Sequence, residues 1–126
     1  MIKALLIIGC GGFIGSVCRY LLQQYFNQNF SAEYPWGTLT ANLVGCFFIG
    51  LIFGYALHKT NVPYEFVWFF ATGFCGAFTT FSTFSYESLH LLKHGKAFVA
   101  LAYLSISVIA GLVLTWTGMY LAKWLG

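Results

Sequence analysis

Aromatic, hydroxyl and glycine residues are concentrated in one segment of the chain, residues 73–85. Glycine and threonine are poor helix formers, so we expect a helix through this segment to break between Gly76 and Thr80. A broken helix inside lipid frees backbone carbonyl oxygens that the bilayer cannot satisfy. Such oxygens suit a hard cation with oxygen ligands, so the segment could hold one.

Two phenylalanines in the same segment could contact an anion. Phe81 and Phe84 are three residues apart and therefore share a helix face. An aromatic ring has a negative face and a positive edge, so ring edges could bind a small anion without a fixed positive charge. Composition alone favours the alternative, in which both rings contact lipid or pack in the interior.

Polar groups also occur in the first two apolar segments. Thr38 and Asn42 lie four residues apart on one face, and the Asn42 amide can donate to an anion or to a neighbouring helix. Arg19 interrupts the first apolar segment. Its side chain could extend to the membrane surface or attract anions into a vestibule.

Tyr103, Ser107 and Thr115 form a stripe of hydroxyls at four-residue spacing, with a gap at Gly111. Hydroxyls can replace part of the hydration shell of an ion, or bond to the carbonyl one turn back.

Glu87 lies one turn beyond Phe84. It could line a vestibule, carry a proton or pair with Lys93 near the surface.

The elements that must position these groups are membrane helices. The 126 residues are 60% hydrophobic and only 7% charged, too few charges for a water-facing surface. The ranges 34–57, 66–86 and 97–122 carry no charge, and about 20 apolar residues span a bilayer. We predict one all-α membrane domain, residues 1–126, with helices at about 4–25, 37–57, 66–92 and 97–122, the third broken near 76–80. No nucleic-acid partner is expected.

The distribution of basic residues predicts an unusual topology. With four spans, Lys3, Lys59 and Lys123 lie on one side, whereas Lys93 and Lys96 lie on the other and Arg19 lies towards it. Orientation follows the Lys and Arg bias of the flanking segments, and here the bias is close to zero. We therefore expect insertion in both directions and pairing as an antiparallel homodimer.

Two G-x-x-x-G patterns, beginning at Gly11 and Gly50, predict close helix contacts.

Three motifs resemble one family, the small fluoride channels, also called CrcB-type fluoride exporters. They are Gly12-x-x-Gly15-x-x-x-Arg19-Tyr20, Gly37-Thr38-Leu39-x-x-Asn42-x-x-Gly45 and Gly73-Phe74-Cys75-Gly76-x-x-Thr79-Thr80-Phe81-Ser82-Thr83-Phe84. The third motif is long and highly specific, and the resemblance spans essentially the whole chain.

The resemblance implies passive fluoride export across the bacterial inner membrane, exclusion of chloride, and an antiparallel, dual-topology homodimer. By similarity, Phe81 and Phe84 would be ring-edge ligands and Asn42 a donor beside them. Tyr103 and Ser107 match a polar track, with Thr38, Glu87 and Arg19 as further pathway candidates. A structural sodium ion would be held by the carbonyls of Gly76 and Thr79 from both subunits. Gly111 departs from the family pattern, because some relatives carry serine there.

Two other functions fit the sequence less well. A small four-helix dimeric exporter of organic cations would need a carboxylate in its first helix, where this chain has Arg19. A structural membrane protein without transport would leave the third motif unexplained. No motif brings together a nucleophile, a base and an orienting group, so we do not expect an enzyme.

Overall fold

The computed structural model describes residues 1–125 and contains four helical spans that are long and apolar enough to cross a membrane. This confirms the predicted all-helical, four-span architecture. The first, second and fourth spans are the continuous helices α1 (Ile2–Asn29), α2 (Trp36–His58) and α6 (Ala97–Ala122). The third span runs over Tyr64–Lys93 and is divided.

The third span changes its backbone geometry twice. It begins as α3 (Tyr64–Val67), widens into a π-helix (Trp68–Cys75), and tightens again as α4 (Gly76–Phe78) before α5 (Phe81–Lys93). Between α4 and α5, Thr79 and Thr80 are extended, with φ/ψ of −84°/156° and −150°/117°. The helix therefore breaks inside the predicted 76–80 segment, whereas nothing in the sequence indicated the π-helix.

Glycines let α1 lie directly against the π-helix. A methyl group added at Gly11 would collide with the Phe69 carbonyl oxygen, and one at Gly15 with the Phe74 carbonyl oxygen. Gly9, on another face of α1, has open space at the same position. Since lipid provides no hydrophobic force between helices, such close backbone approach is what stabilises the contact.

The second glycine pattern joins α2 to α6. A methyl group at Gly50 would collide with the Thr115 carbonyl oxygen, and one at Gly118 with that of Phe47. Both G-x-x-x-G patterns are therefore used within one chain. They hold α1 to the first half of the third span, and α2 to α6. The extended residues Thr79 and Thr80 connect the first half of the third span to α5.

The outer surface of the bundle is apolar, as expected for a protein in lipid. Leu112, Phe13 and Phe98 are exposed, whereas Leu39, Leu91, Ala100 and Tyr103 form a small buried cluster. All four cysteines are free thiols: Cys75 is buried, and Cys10 is exposed on α1. Lipid-facing apolar surface and a small interior together fit a thin bundle of four helices.

Candidate functional site

The break in the third span opens into a cavity of about 390 Å³ between α2, the divided third span and α6. The cavity is open on the outer side of the chain, where the Phe81 ring is 78% exposed. Six of the ten residues predicted from the sequence line it. They are Asn42, Gly76, Thr79, Phe81, Phe84 and Ser107.

Asn42 holds the break in place. Its Oδ1 accepts a hydrogen bond from the Thr80 N–H at 2.7 Å, and its Nδ2 donates to the Thr80 carbonyl at 3.1 Å. The amide thus satisfies both backbone groups of an extended residue inside an apolar helix bundle. Since an amide nitrogen carries two hydrogens, one N–H remains for a second acceptor. Asn42 therefore makes the interhelical hydrogen bonds that were one alternative for it, and its remaining N–H can still donate to an anion.

Arg19 reaches the other side of the same break. Its Nε donates to the Ala77 carbonyl oxygen at 3.0 Å, an oxygen that the Phe81 N–H would engage in a continuous helix. The half-buried side chain therefore does not simply extend to the membrane surface. A cation is favourable beside the unpaired carbonyls that end a helix.

Two carbonyls at the break lose their helical donors. The Thr80 N–H, which a continuous helix would present to the Gly76 carbonyl, donates to Asn42 instead. The Thr83 N–H, the corresponding donor for the Thr79 carbonyl, turns to the Thr80 hydroxyl at 3.3 Å. Gly76 and Thr79 both line the cavity. The break therefore brings together freed carbonyl oxygens of the type that binds a hard cation.

Three aromatic rings follow one another away from the cavity mouth. The Phe84 ring lies between Phe81, at a centroid distance of 5.9 Å, and Tyr103, at 5.1 Å. Ser107 lies one turn along α6 from Tyr103 and lines the cavity, where its buried Oγ has no hydrogen-bond partner in the described residues. Phe84 thus separates the hydroxyl of Ser107 from a second polar region.

The second polar region is a cluster of side chains from all four spans. Tyr103 donates to a Glu87 carboxylate oxygen at 3.4 Å, and the Thr38 hydroxyl lies close enough to both groups for its one hydrogen to be donated to either. Gln23 donates its Nε2 hydrogen to Thr38 at 3.2 Å. Gln23 was not predicted as a site residue, although its position four residues after Arg19 places it on the same face of α1. We call these four residues the polar cluster.

Glu87 does not pair with Lys93, one of the roles considered for it. Across residues 1–125 the ion pairs are Lys3–Glu65 at 2.5 Å and Lys96–Glu33 at 4.0 Å. Glu87 instead lies half-buried among the hydroxyls of the polar cluster. The vestibule and proton-carrier roles remain predictions.

The hydroxyl stripe of α6 divides into two parts. Tyr103 and Ser107 lie near Phe84, as described, whereas the Thr115 hydroxyl donates to the Gly111 carbonyl at 2.9 Å. Thr115 therefore follows the alternative in which a membrane hydroxyl bonds one turn back. A methyl group added at the buried Gly111 would make a tight contact with the Cys46 thiol, at 3.3 Å.

A family model described as "CrcB-like protein, Camphor Resistance (CrcB)" matches residues 6–119. Similar proteins from three bacteria are each named "Fluoride-specific ion channel FluC". The protein of Leptospira interrogans serovar copenhageni is 46% identical over 123 residues, which are 96% of this chain and 95% of the relative. That of Flavobacterium psychrophilum is 43% identical over 122 residues, 96% and 98% of the two chains. That of Pseudomonas fluorescens is 40% identical over 123 residues, 98% and 99%.

Proposed function

Because the chain belongs to the CrcB-like family, we propose that it is a fluoride-specific ion channel, the function named for its full-length relatives. It is a multi-pass membrane protein and not an enzyme. The structural observation that best supports ion transport is the cavity at the break of the third span, which combines aromatic rings with hydrogen-bond donors in an apolar bundle.

The chemistry of fluoride explains why such a cavity is needed. Fluoride is small and strongly hydrated, so a pathway must replace its water with other hydrogen-bond donors. The remaining Asn42 N–H and the unpartnered Ser107 hydroxyl supply donors without a fixed charge. The edges of Phe81 and Phe84 supply weak positive potential. Binding that is favourable but weak lets an ion leave as well as enter.

We assign the pathway to residues that the sequence predicted, from the cavity to the polar cluster. Fluoride enters the cavity beside Phe81, passes the ring edge of Phe84, and reaches Tyr103 and Glu87 in the polar cluster. Arg19 holds the break open and adds positive potential near the cavity. Each of these roles is a proposal, supported by the continuous contact from cavity to polar cluster.

The driving force requires no coupled reaction. Fluoride enters cells as its neutral acid and is trapped as the anion at neutral cytoplasmic pH. A passive anion pathway lets the membrane potential, about 2.3 kcal/mol per charge per 100 mV, expel it and lower its concentration inside.

The function is tested by ion efflux from proteoliposomes. We expect potassium fluoride to leave valinomycin-treated vesicles within seconds to minutes, and potassium chloride to leave no faster than from protein-free vesicles. A fluoride electrode and a chloride electrode measure both on the same preparation. Equal rates for the two halides, or no fluoride efflux, would contradict the proposal.

The open cavity favours a second copy of the chain as its cover. Phe81 is 78% exposed beside Asn42, Thr79 and Thr80, and polar groups facing acyl chains would be costly. A partner chain would enclose them. The near-equal distribution of Lys and Arg over the two sides favours an antiparallel partner, so we propose a dual-topology homodimer.

The freed carbonyls of Gly76 and Thr79 fit a sodium ion shared by two chains. One chain offers two carbonyl oxygens at the break, and hard cations take several oxygen ligands. A second copy related by a two-fold axis would double that number. The ion would neutralise carbonyl dipoles that lipid leaves unsatisfied, and would thereby stabilise the break.

The proposed dimer and its sodium site can be tested by mass, by sodium replacement and by tag labelling. In detergent with sodium, light scattering should give twice the chain mass of 14.1 kDa. Replacing sodium by N-methyl-D-glucamine should reduce fluoride efflux or dissociate the dimer, because the large cation cannot take oxygen ligands at close distance. Full efflux without sodium would exclude the ion site. Labelling of every C-terminal tag from a single side of intact cells would exclude the antiparallel arrangement.

A further inference from the structure

Two buried side-chain oxygens lack a hydrogen-bond partner among residues 1–125, and only one of them belongs to the predicted pathway. They are the hydroxyls of Ser107, which lines the cavity, and of Tyr34, which lies in the connection between α1 and α2. Leaving a buried donor unsatisfied is unfavourable. A buried hydroxyl without a protein partner therefore suggests that an ion or a water molecule binds beside it.

The ring of Tyr34 packs directly against the polar cluster. Its centroid lies 5.8 Å from that of Tyr103, with the planes at 75°, and 4.6 Å from that of Trp36. Tyr103 thus contacts Phe84 on one side and Tyr34 on another. The two unpartnered hydroxyls lie in regions that the Phe84–Tyr103 pair separates, with Ser107 towards the cavity and Tyr34 towards the α1–α2 connection.

The ring that contacts Tyr34 has already used its only donor, because Tyr103 donates its single O–H to Glu87. Gln23 uses one of its two N–H groups to donate to Thr38. An anion that arrives beside the Glu87 carboxylate therefore gains from a further hydroxyl donor. Burial raises the pKa of Tyr34, so its hydroxyl keeps its proton at neutral pH.

We propose that Tyr34 is a further ion-contacting residue. Its hydroxyl donates a hydrogen bond to fluoride on the side of the Phe84–Tyr103 pair that faces the α1–α2 connection. The proposal rests on the proposed fluoride-channel function. An ion leaving the aromatic pair would exchange a ring edge for this hydroxyl before it reaches water.

The test is Tyr34→Phe, which removes one oxygen and keeps the ring. We expect fluoride efflux to fall about tenfold, because a hydrogen bond to a charged group is lost. The thermal unfolding temperature without fluoride should stay equal or rise, since the hydroxyl has no protein partner to lose. Tyr25→Phe is the matched control: its ring packs on Phe26 and Phe30 near the same loop and is 56% exposed. It should change neither quantity.

The outcomes separate this inference from the function on which it rests. Wild-type efflux in Tyr34→Phe would overturn the inference and indicate that a water molecule satisfies the hydroxyl. A lower unfolding temperature would also overturn it, because the hydroxyl would then have a structural partner. Failure of the unmodified protein to select fluoride over chloride would instead reject the channel function itself.

Discussion

Replacing Phe84 by isoleucine should lower fluoride efflux at least 30-fold while the protein remains folded. The Phe84 ring contacts Phe81 and Tyr103 at centroid distances of 5.9 and 5.1 Å and separates the cavity from the polar cluster. If a desolvated cation over a ring face, at about 2 kcal/mol, is taken as the scale for an anion at the ring edge, loss of the interaction corresponds to a factor of about 30 in rate. Isoleucine fills much of the same space but has no positive edge to offer the ion.

The matched control for this prediction is Phe98→Ile. Phe98 lies in α6 and is 85% exposed, and it forms no ring contact in the described chain. Its replacement should leave efflux unchanged. Thermal unfolding of both variants distinguishes loss of the pathway from loss of the fold. Wild-type efflux in Phe84→Ile would assign the ring to packing.

Replacing Asn42 by leucine should abolish fluoride efflux and also destabilise the protein. The Asn42 amide makes two hydrogen bonds to Thr80, at 2.7 and 3.1 Å. Leucine would leave an N–H and a carbonyl unsatisfied in an apolar bundle, at a cost of roughly 1–3 kcal/mol each. We expect a clearly lower unfolding temperature, because the extended conformation of Thr80 loses its only side-chain support from α2 in the described structure. Differential scanning fluorimetry and vesicle efflux measure the two effects.

A second variant separates the two roles of Asn42. Asn42→Asp keeps an acceptor for the Thr80 N–H. Burial favours the neutral carboxyl, whose single O–H can replace the bond to the Thr80 carbonyl but leaves no second hydrogen for an anion. The variant should therefore be less destabilised than Asn42→Leu and equally inactive. Asn27→Leu, on the exposed end of α1, is the control and should leave stability and efflux unchanged. Normal unfolding of Asn42→Leu would show that the break does not depend on this amide.

The architecture followed from the sequence because lipid imposes strict conditions on a chain. Long apolar segments with few charges can cross a bilayer as helices, so the three charge-free ranges and the first segment, which Arg19 interrupts, predicted the four spans found in the structure. The break was predictable for a similar reason. The segment between Gly76 and Thr80 is poor in helix formers, and the structure is extended at Thr79 and Thr80. The motifs around Arg19, Asn42 and Phe84 were also sufficient to indicate the family.

The tertiary structure decided which partners satisfy the groups that the break releases. Asn42 bonds to Thr80 across 38 residues, and Arg19 bonds to Ala77 across 58. Helical spacing shows which residues share a face, but it does not show which face of another helix they meet. For the same reason the sequence did not indicate Gln23 or Tyr34. Gln23 meets Thr38 and Tyr34 meets Tyr103 only in the packed bundle, because hydrogen bonds and ring contacts depend on distances that packing sets.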